Sequence, residues 1–342
     1  MKKNKRFVLA FGLFVFALFS ANAKKSKQPV VRIGSANGEG RPFSGLSAIA
    51  KEYGYFEEEF EKIGYKVEYY TFQNGIVVNE ALLAKDIDFS IIGDVPGVTG
   101  FKNNIGVTWI ASGSGVTHLS IVARKGAGIK KPEDLIGKSI GLNLGTNAQQ
   151  LFENYIAENN LPREKLNILN ITLANIANAI VTGDLDVGIG NSTTLLPLVA
   201  NGEAEEVFSS TKNEQWSAQT LITARKAFLK QNPQAGLAYV RALFRAEEEF
   251  KANPEKNYNI FSGKTLDRNP ELGKVLFNPQ NITARITEDY ITKLQNLYEI
   301  LRSVERVTGP FDVRTAIDTS YVEKVAKEWS EKTSKVTVAS KN

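Results

Sequence analysis

The strongest constraint on how this chain can fold is a segment that occurs twice. Ala81-Leu82-Leu83-Ala84-Lys85-Asp86-Ile87-Asp88-Phe89-Ser90-Ile91 matches Ala179-Ile180-Val181-Thr182-Gly183-Asp184-Leu185-Asp186-Val187-Gly188-Ile189. The shared pattern is Ala, two aliphatics, two variable residues, Asp, aliphatic, Asp, apolar, small, Ile. Each copy reads as a helix end that turns into a buried strand. A common helix-to-strand turn produces part of such a match. The same order of elements on both sides of each copy makes two related lobes the better reading.

In the first half, Val30 to Gly34 reads as a strand, and the glycine-rich loop Ser35 to Phe43 leads into a helical region that runs to Phe60. Strand Tyr65–Phe72, helix Ile76–Ala84, strand Ile87–Ile92, helix Gly97–Lys102 and strand Val107–Ser112 follow. The second half repeats the order with strand Ser139–Leu144, helix Ala148–Asn159, strand Leu166–Ile171, helix Ile176–Thr182 and strand Val187–Gly190. Strands alternating with helices predict parallel α/β sheets. Gly113 to Arg124 links the halves, a strand Thr220–Arg225 follows the second, and the chain is helical from Ala227 onward.

Those late helices most simply cover the first lobe, so the chain crosses between lobes twice. The expected fold is an α/β two-lobed clamshell, each lobe a mostly parallel sheet flanked by helices. One lobe comprises residues 28–115 plus 221–342 and the other residues 116–220. Ligands bind outside the carboxyl ends of parallel strands, which places the cleft walls at Ser35–Phe43, Phe72–Ile76 and Gly93–Gly97 on one side. Leu144–Asn147, Thr172–Asn175 and Gly190–Thr194 form the other. At Leu144–Gln150, Thr146 or Asn147 can cap the next helix, with Gln149 or Gln150 as capping-box partner. Free N–H groups at such a helix start favour an anion.

Residues 1–23 read as a cleaved signal peptide: Lys2, Lys3, Lys5 and Arg6, a 13-residue apolar run from Phe7 to Phe19, and a small-x-small site at Ala21-Asn22-Ala23. The run is short for a membrane span, and no cysteine follows for lipid attachment, so an exported, periplasmic, unlipidated protein is expected. Removing those four basic residues from 42 leaves 38 against 37 acidic ones, a net of +1. Nucleic acid binding thereby loses its compositional support. Zero cysteines exclude disulfides, thiolate metal sites and cysteine nucleophiles.

Four segments carry a family resemblance: Val31-Arg32-Ile33-Gly34; Asp86 to Pro96, ending Gly93-Asp94-Val95-Pro96; Lys131-Pro132-Glu133-Asp134-Leu135-Ile136-Gly137-Lys138-Ser139-Ile140-Gly141; and Gly145-Thr146-Asn147 before a helix. Together they resemble the type II periplasmic solute-binding proteins of ABC importers, in the group taking up aliphatic sulfonates, taurine and nitrate. The resemblance implies that Gly145, Thr146 and Asn147 hold an anionic head, faced by Gly93, Asp94, Val95 and Pro96 and by the first loop around Gly38, Arg41, Pro42 and Phe43. Gln73, Asn74, Asn191 and Ser192 complete the candidate ligand-binding set. Arg41 can add a bidentate contact to a sulfonate or carboxylate. Glu39 or Asp94 can meet an ammonium, as taurine would require. Phe43, Phe72 and Trp216 are candidates for packing on an organic tail, although core packing suits Phe72 better. Gly190-Asn191-Ser192-Thr193-Thr194 departs from the aromatic and Asp-Pro pair that sulfonate binders often carry there.

Other motifs carry less. Gly137-Lys138-Ser139 has Pro132, and Gly263-Lys264-Thr265 has Tyr258, where a P-loop needs glycine. His118 is the single histidine and there is no Gly-x-Ser-x-Gly elbow, which favours a structural or cleft-edge role and leaves zinc without ligands. Glu57–Glu59 and Glu247–Glu249 read as solvated helix faces. The expected activity is non-enzymatic capture of a small anionic or zwitterionic organic solute, a sulfonate or taurine first, with delivery to an ABC permease. No cofactor, metal or nucleic acid is expected, and a monomer is. The alternatives are a clamshell enzyme or binder acting on a thiamine pyrimidine precursor, and a sensor or scaffold whose cleft has lost its ligand.

Overall fold

The structure is a computed structural model that describes residues 28–339, apart from Glu39 and Asn213. The signal peptide and Glu39 therefore lie outside the described residues. The first half contains β1 (Val30–Ser35), α1 (Gly45–Glu52), α2 (Tyr55–Glu61), β2 (Lys66–Thr71), α3 (Gly75–Ala84), β3 (Phe89–Gly93), α4 (Asp94–Lys102) and β4 (Val107–Thr117). The second contains β5 (Leu119–Arg124), β6 (Ser139–Leu142), α5 (Asn147–Glu158), β7 (Asn167–Asn170), α6 (Leu173–Thr182), β8 (Val187–Asn191), α7 (Ser192–Ala200) and β9 (Ala204–Ser209). Strand β10 (Ala218–Arg225) precedes α8 (Lys226–Gln231), α9 (Pro233–Ala252), α10 (Pro254–Phe261), α11 (Leu272–Leu276), α12 (Glu288–Ser303) and α13 (Ser320–Ala339).

Two five-stranded sheets result, ordered β2-β1-β3-β10-β4 and β7-β6-β8-β5-β9. Within each, the first three strands are mutually parallel and the fourth runs antiparallel to both of its neighbours. Four strands of each sheet thus share a direction, as the two-lobed α/β reading requires. The chain passes from the first sheet to the second at His118, and back between Ser209 and Ala218. The late helices do pack on the first sheet: α9 lies against α1, α2 and α13, and its Tyr239, Leu243 and Phe250 are core residues with Phe56, Phe60 and Phe89.

The duplicated segment now has a physical role. Its second aspartate ties together three strands at the start of each lobe's third strand. Asp88 Oδ2 accepts from the Arg32 backbone N–H of β1 at 3.0 Å, and its other oxygen accepts from the Arg225 guanidinium at the end of β10. Asp186 repeats this, accepting from the Ser139 backbone N–H of β6 at 3.1 Å and from Arg124 of β5 at 2.9 Å. The Ser139 N–H above all, with Arg124 helping, holds the Asp186 carboxyl below its ordinary pKa. The fifth position of the repeat, Lys85 or Gly183, ends its helix at φ +67° or +86°, the left-handed cap that lets the chain turn back.

Three features differ from expectation. Helix α4 starts at Asp94, with no intervening loop, because Pro96 in the first turn needs no amide partner. Helix α7 likewise starts directly after β8, at Ser192. The linking segment extends β4 to Thr117 and then forms β5, an internal strand of the second sheet, and β9 at that sheet's edge was not anticipated.

Removing either aspartate should destabilise the fold, and unequally. The Asp88 and Arg225 side chains are 3% and 15% exposed, whereas Asp186 is 25% exposed. Asp88→Ala should cost about 3–5 kcal/mol and Asp186→Ala about 1–3 kcal/mol in denaturant unfolding. Equal small losses would contradict the assigned clamp.

Candidate functional site

The cleft between the sheets is ringed by helix starts. One chamber of about 90 Å³ touches Ser44, Asn74, Gly93, Thr146 and Asn191, the N-cap residues of α1, α3, α4, α5 and α7, and Leu173, the first residue of α6. Each helix follows a strand that ends at the cleft or a loop that borders it, so strand direction alone brings the helix starts together. Ser44, Thr146 and Asn191 make no side-chain cap, which leaves first-turn N–H groups of these helices uncapped. Partial positive charge from several helix ends therefore converges on one volume.

A second chamber of about 90 Å³ shares Asn37, Ser44, Thr117, Leu173, Asn191 and Thr220 with the first, so the two adjoin. Arg41 and Pro42 border it, and the Arg41 guanidinium donates to the Ala174 carbonyl at 2.8 Å, a contact between lobes. The crossing segments supply residues that the sequence did not single out. The Thr117 and Thr220 hydroxyls lie 2.9 Å apart, and Gln219, buried in β10, has an Nε2 with no hydrogen-bond partner at the wall of the first chamber. Their signal was the crossing itself, since strands that connect lobes must pass beneath the cleft. His118 lies at one crossing with Nδ1 3.1 Å from Ser217 Oγ, and burial pushes its ring pKa below the ordinary value.

Of the expected ligand contacts, Arg41, Pro42, Asn74, Gly93, Pro96, Thr146, Asn147 and Asn191 border the chambers. Asn74 spends its Oδ1 on the Ile76 and Val77 N–H groups. The others are corrected by the structure. Phe43 is 2% exposed and meets Tyr69 edge-on in the core, while Val95 is wholly buried beneath α4. Ser192 is wholly buried with its hydroxyl 2.7 Å from that of Ser120. Gln73 is exposed and borders neither chamber. Gly38, at φ +106°, spends its N–H on the Phe72 carbonyl, and Gly145, at φ +77°, spends its own on Gln149 Oε1 at 2.8 Å. The expected capping box is thus displaced by one residue, and Thr146 Oγ1 donates instead to the Asn143 carbonyl. Trp216 packs on Phe208 behind the crossings.

Asp94 is the most consequential correction. It is buried and borders neither chamber. Oδ2 accepts from the Gln219 backbone N–H at 2.6 Å, while Oδ1 accepts from Val95 N–H at 2.7 Å and from Asn147 Nδ2 of the opposite lobe. The carboxyl is engaged in holding α4, α5 and β10 together, with three donors already on it. Gly93 permits the approach, because a Cβ there would lie 2.4 Å from Asn147 Oδ1. Burial pushes the Asp94 pKa up to about 6, against the three donors that favour the carboxylate.

A raised carboxyl pKa contributes stability that is complete below the unfolded value and is lost as pH rises through the folded one. The stability of the parent relative to Asp94→Asn should therefore fall by up to about 3 kcal/mol between pH 4 and 7. A difference independent of pH in denaturant titrations would contradict this assignment.

Among the described residues, no cluster of three or more His, Asp or Glu could hold a metal, and no helix is long and apolar enough to cross a membrane. Comparison with known proteins agrees with the geometry. A Bacillus subtilis protein named as an aliphatic sulfonates-binding protein is 24% identical over 82% of this chain and 85% of its own. The alkanesulfonate-binding protein SsuA from Xanthomonas axonopodis pv. citri, bound to MOPS, superposes with a TM-score of 0.70 at 15% identity, covering 85% of this chain and 98% of that one. The fold also occurs in the desulfurization enzyme DszB, with a TM-score of 0.67 at 12% identity over 87% of this chain and 99% of that one. The profile of the family described as NMT1/THI5 like matches residues 45–257, well over half of the sequence. The chain belongs to the NMT1/THI5-like family.

Proposed function

We propose that this protein is the exported solute-binding component of an ABC-type importer, without enzymatic activity. Residues 28–115 with 221–342, and residues 116–220, act as two lobes that close on a small organic anion, a sulfonate first, and the closed form is presented to a membrane permease. The observation that carries this reading is the ring of helix starts on one chamber between the sheets, five of the six without a side-chain cap from the N-cap residue. Neutral amide and hydroxyl donors suit a weakly hydrated anion, because no buried lysine has to be desolvated in the empty state. The names of the relatives support the same solute class. Contacts already crossing the cleft, Arg41 to Ala174 and Asp94 to Asn147, are what closure would select. Against catalysis, His118 is the single histidine and its Nδ1 is engaged with Ser217.

Thermal unfolding of the mature protein against sulfonates, carboxylates, nitrate and pyrimidine precursors tests the proposal. A true ligand at 100 times its dissociation constant should add roughly 2.7 kcal/mol of stability. Asn191→Asp is nearly isosteric and equally favoured at an N-cap position while placing a negative charge at the chamber, and should weaken sulfonate binding at least tenfold. A shift produced only by a pyrimidine precursor, or sulfonate binding untouched by Asn191→Asp, would overturn the reading.

A further inference from the structure

A third chamber, of about 270 Å³, adjoins the ring of helix starts across Asn147 and Gln219, whereas each of the other two measures about 90 Å³. It lies between α5 of the second lobe and α12 of the first, with Trp216 to Gln219 of the second crossing along it. Five carboxamide side chains border it, those of Asn147, Gln150, Asn154, Gln219 and Asn296, together with the half-buried ring of Trp216. Gln150 Nε2 donates to Asn154 Oδ1 at 3.0 Å and Asn147 Nδ2 donates to Asp94, which fixes how three of the five amides are presented. Gln219 is 3% exposed, and among the described residues its Nε2 has no hydrogen-bond partner. A buried donor left unpaired is costly, and an acceptor on a ligand would satisfy it.

The charges at this chamber are already engaged. Asp289 pairs with Lys293 at 2.9 Å, and Asp94 accepts from three donors. Among the described residues, no other charged side chain borders it. An ionic ligand would therefore have to break an existing pair or be desolvated without a counter-charge. A neutral one has its partners in place. A carboxamide offers a donor and an acceptor side by side, as adjacent hydroxyls on a ring do, and an indole face gives such a ring a flat apolar surface to lie on.

We propose that this chamber is a second ligand site, for a neutral polyhydroxylated ring the size of a hexose or a cyclitol. Its hydroxyls meet the carboxamides of α5, α12 and the crossing, and its C–H face lies on Trp216. The site is separate from the one ringed by helix starts and does not depend on what is bound there. Because α5 and α12 belong to different lobes, the occupant bridges them beside the contact between Asp94 and Asn147.

Calorimetric titration of the mature protein with D-glucose and with myo-inositol tests the assignment. At least one should bind saturably at a single site, with a dissociation constant of about 1 mM or tighter. Glucuronate and glucosamine, hexoses of the same size that carry a charge, should bind at least tenfold more weakly than the tighter of the two. Binding should bring a saturable change in tryptophan emission that Trp216→Phe removes. Asn154→Leu combined with Asn296→Leu should weaken it at least tenfold, in a variant whose circular dichroism matches the parent. No saturable binding of either neutral ring, binding that the double variant retains, or a charged hexose bound as tightly as the neutral rings would overturn the proposal.

Discussion

The first sheet is completed by a strand that the chain delivers from beyond the other lobe. β10 arrives after the whole second half has been built, and inserts antiparallel between β3 and β4; β5 inserts in the same way between β8 and β9. The first lobe is therefore not a closed unit of consecutive sequence, whereas the second is, and the two crossings set how the lobes sit. The aspartate of each repeat secures the inserted strand, through Arg225 in one lobe and Arg124 in the other. With those strands in place, the helix starts of both lobes have to face one another. The binding site is therefore a consequence of topology first and of side chains second.

The electrostatics of the cleft follow from that arrangement. Backbone N–H groups at helix starts supply positive potential without the entropy and desolvation costs of lysines. The one buried acid nearby, Asp94, is neutralised by three donors and serves as a tie between lobes. Asn147 stands both at the wall of the chamber and on Asp94, so the chamber wall and the contact between lobes share a residue.

Much of this was legible in the residues. The repeated Asp-x-Asp segments implied two related lobes, and strand-then-helix order put Asn74, Thr146, Asn147 and Asn191 at helix starts, where they border a chamber between the sheets. What sequence position does not carry is the direction of a side chain at a junction. Val95 and Ser192 sit in first turns that follow their strands without a loop, and their side chains turn back into the core. Phe43 lies in a cleft loop yet serves the packing beneath it. Thr117, Gln219 and Thr220 become site residues only through the crossings.

A ligand that closes the cleft should draw two hinged lobes together. The absence of native cysteines makes a direct test clean: Gln73→Cys and Asn175→Cys place spin labels at exposed positions on opposite lobes. The distance distribution between them should shorten and narrow when hexanesulfonate saturates the protein. A distribution that stays the same while calorimetry reports binding would contradict closure as the mechanism.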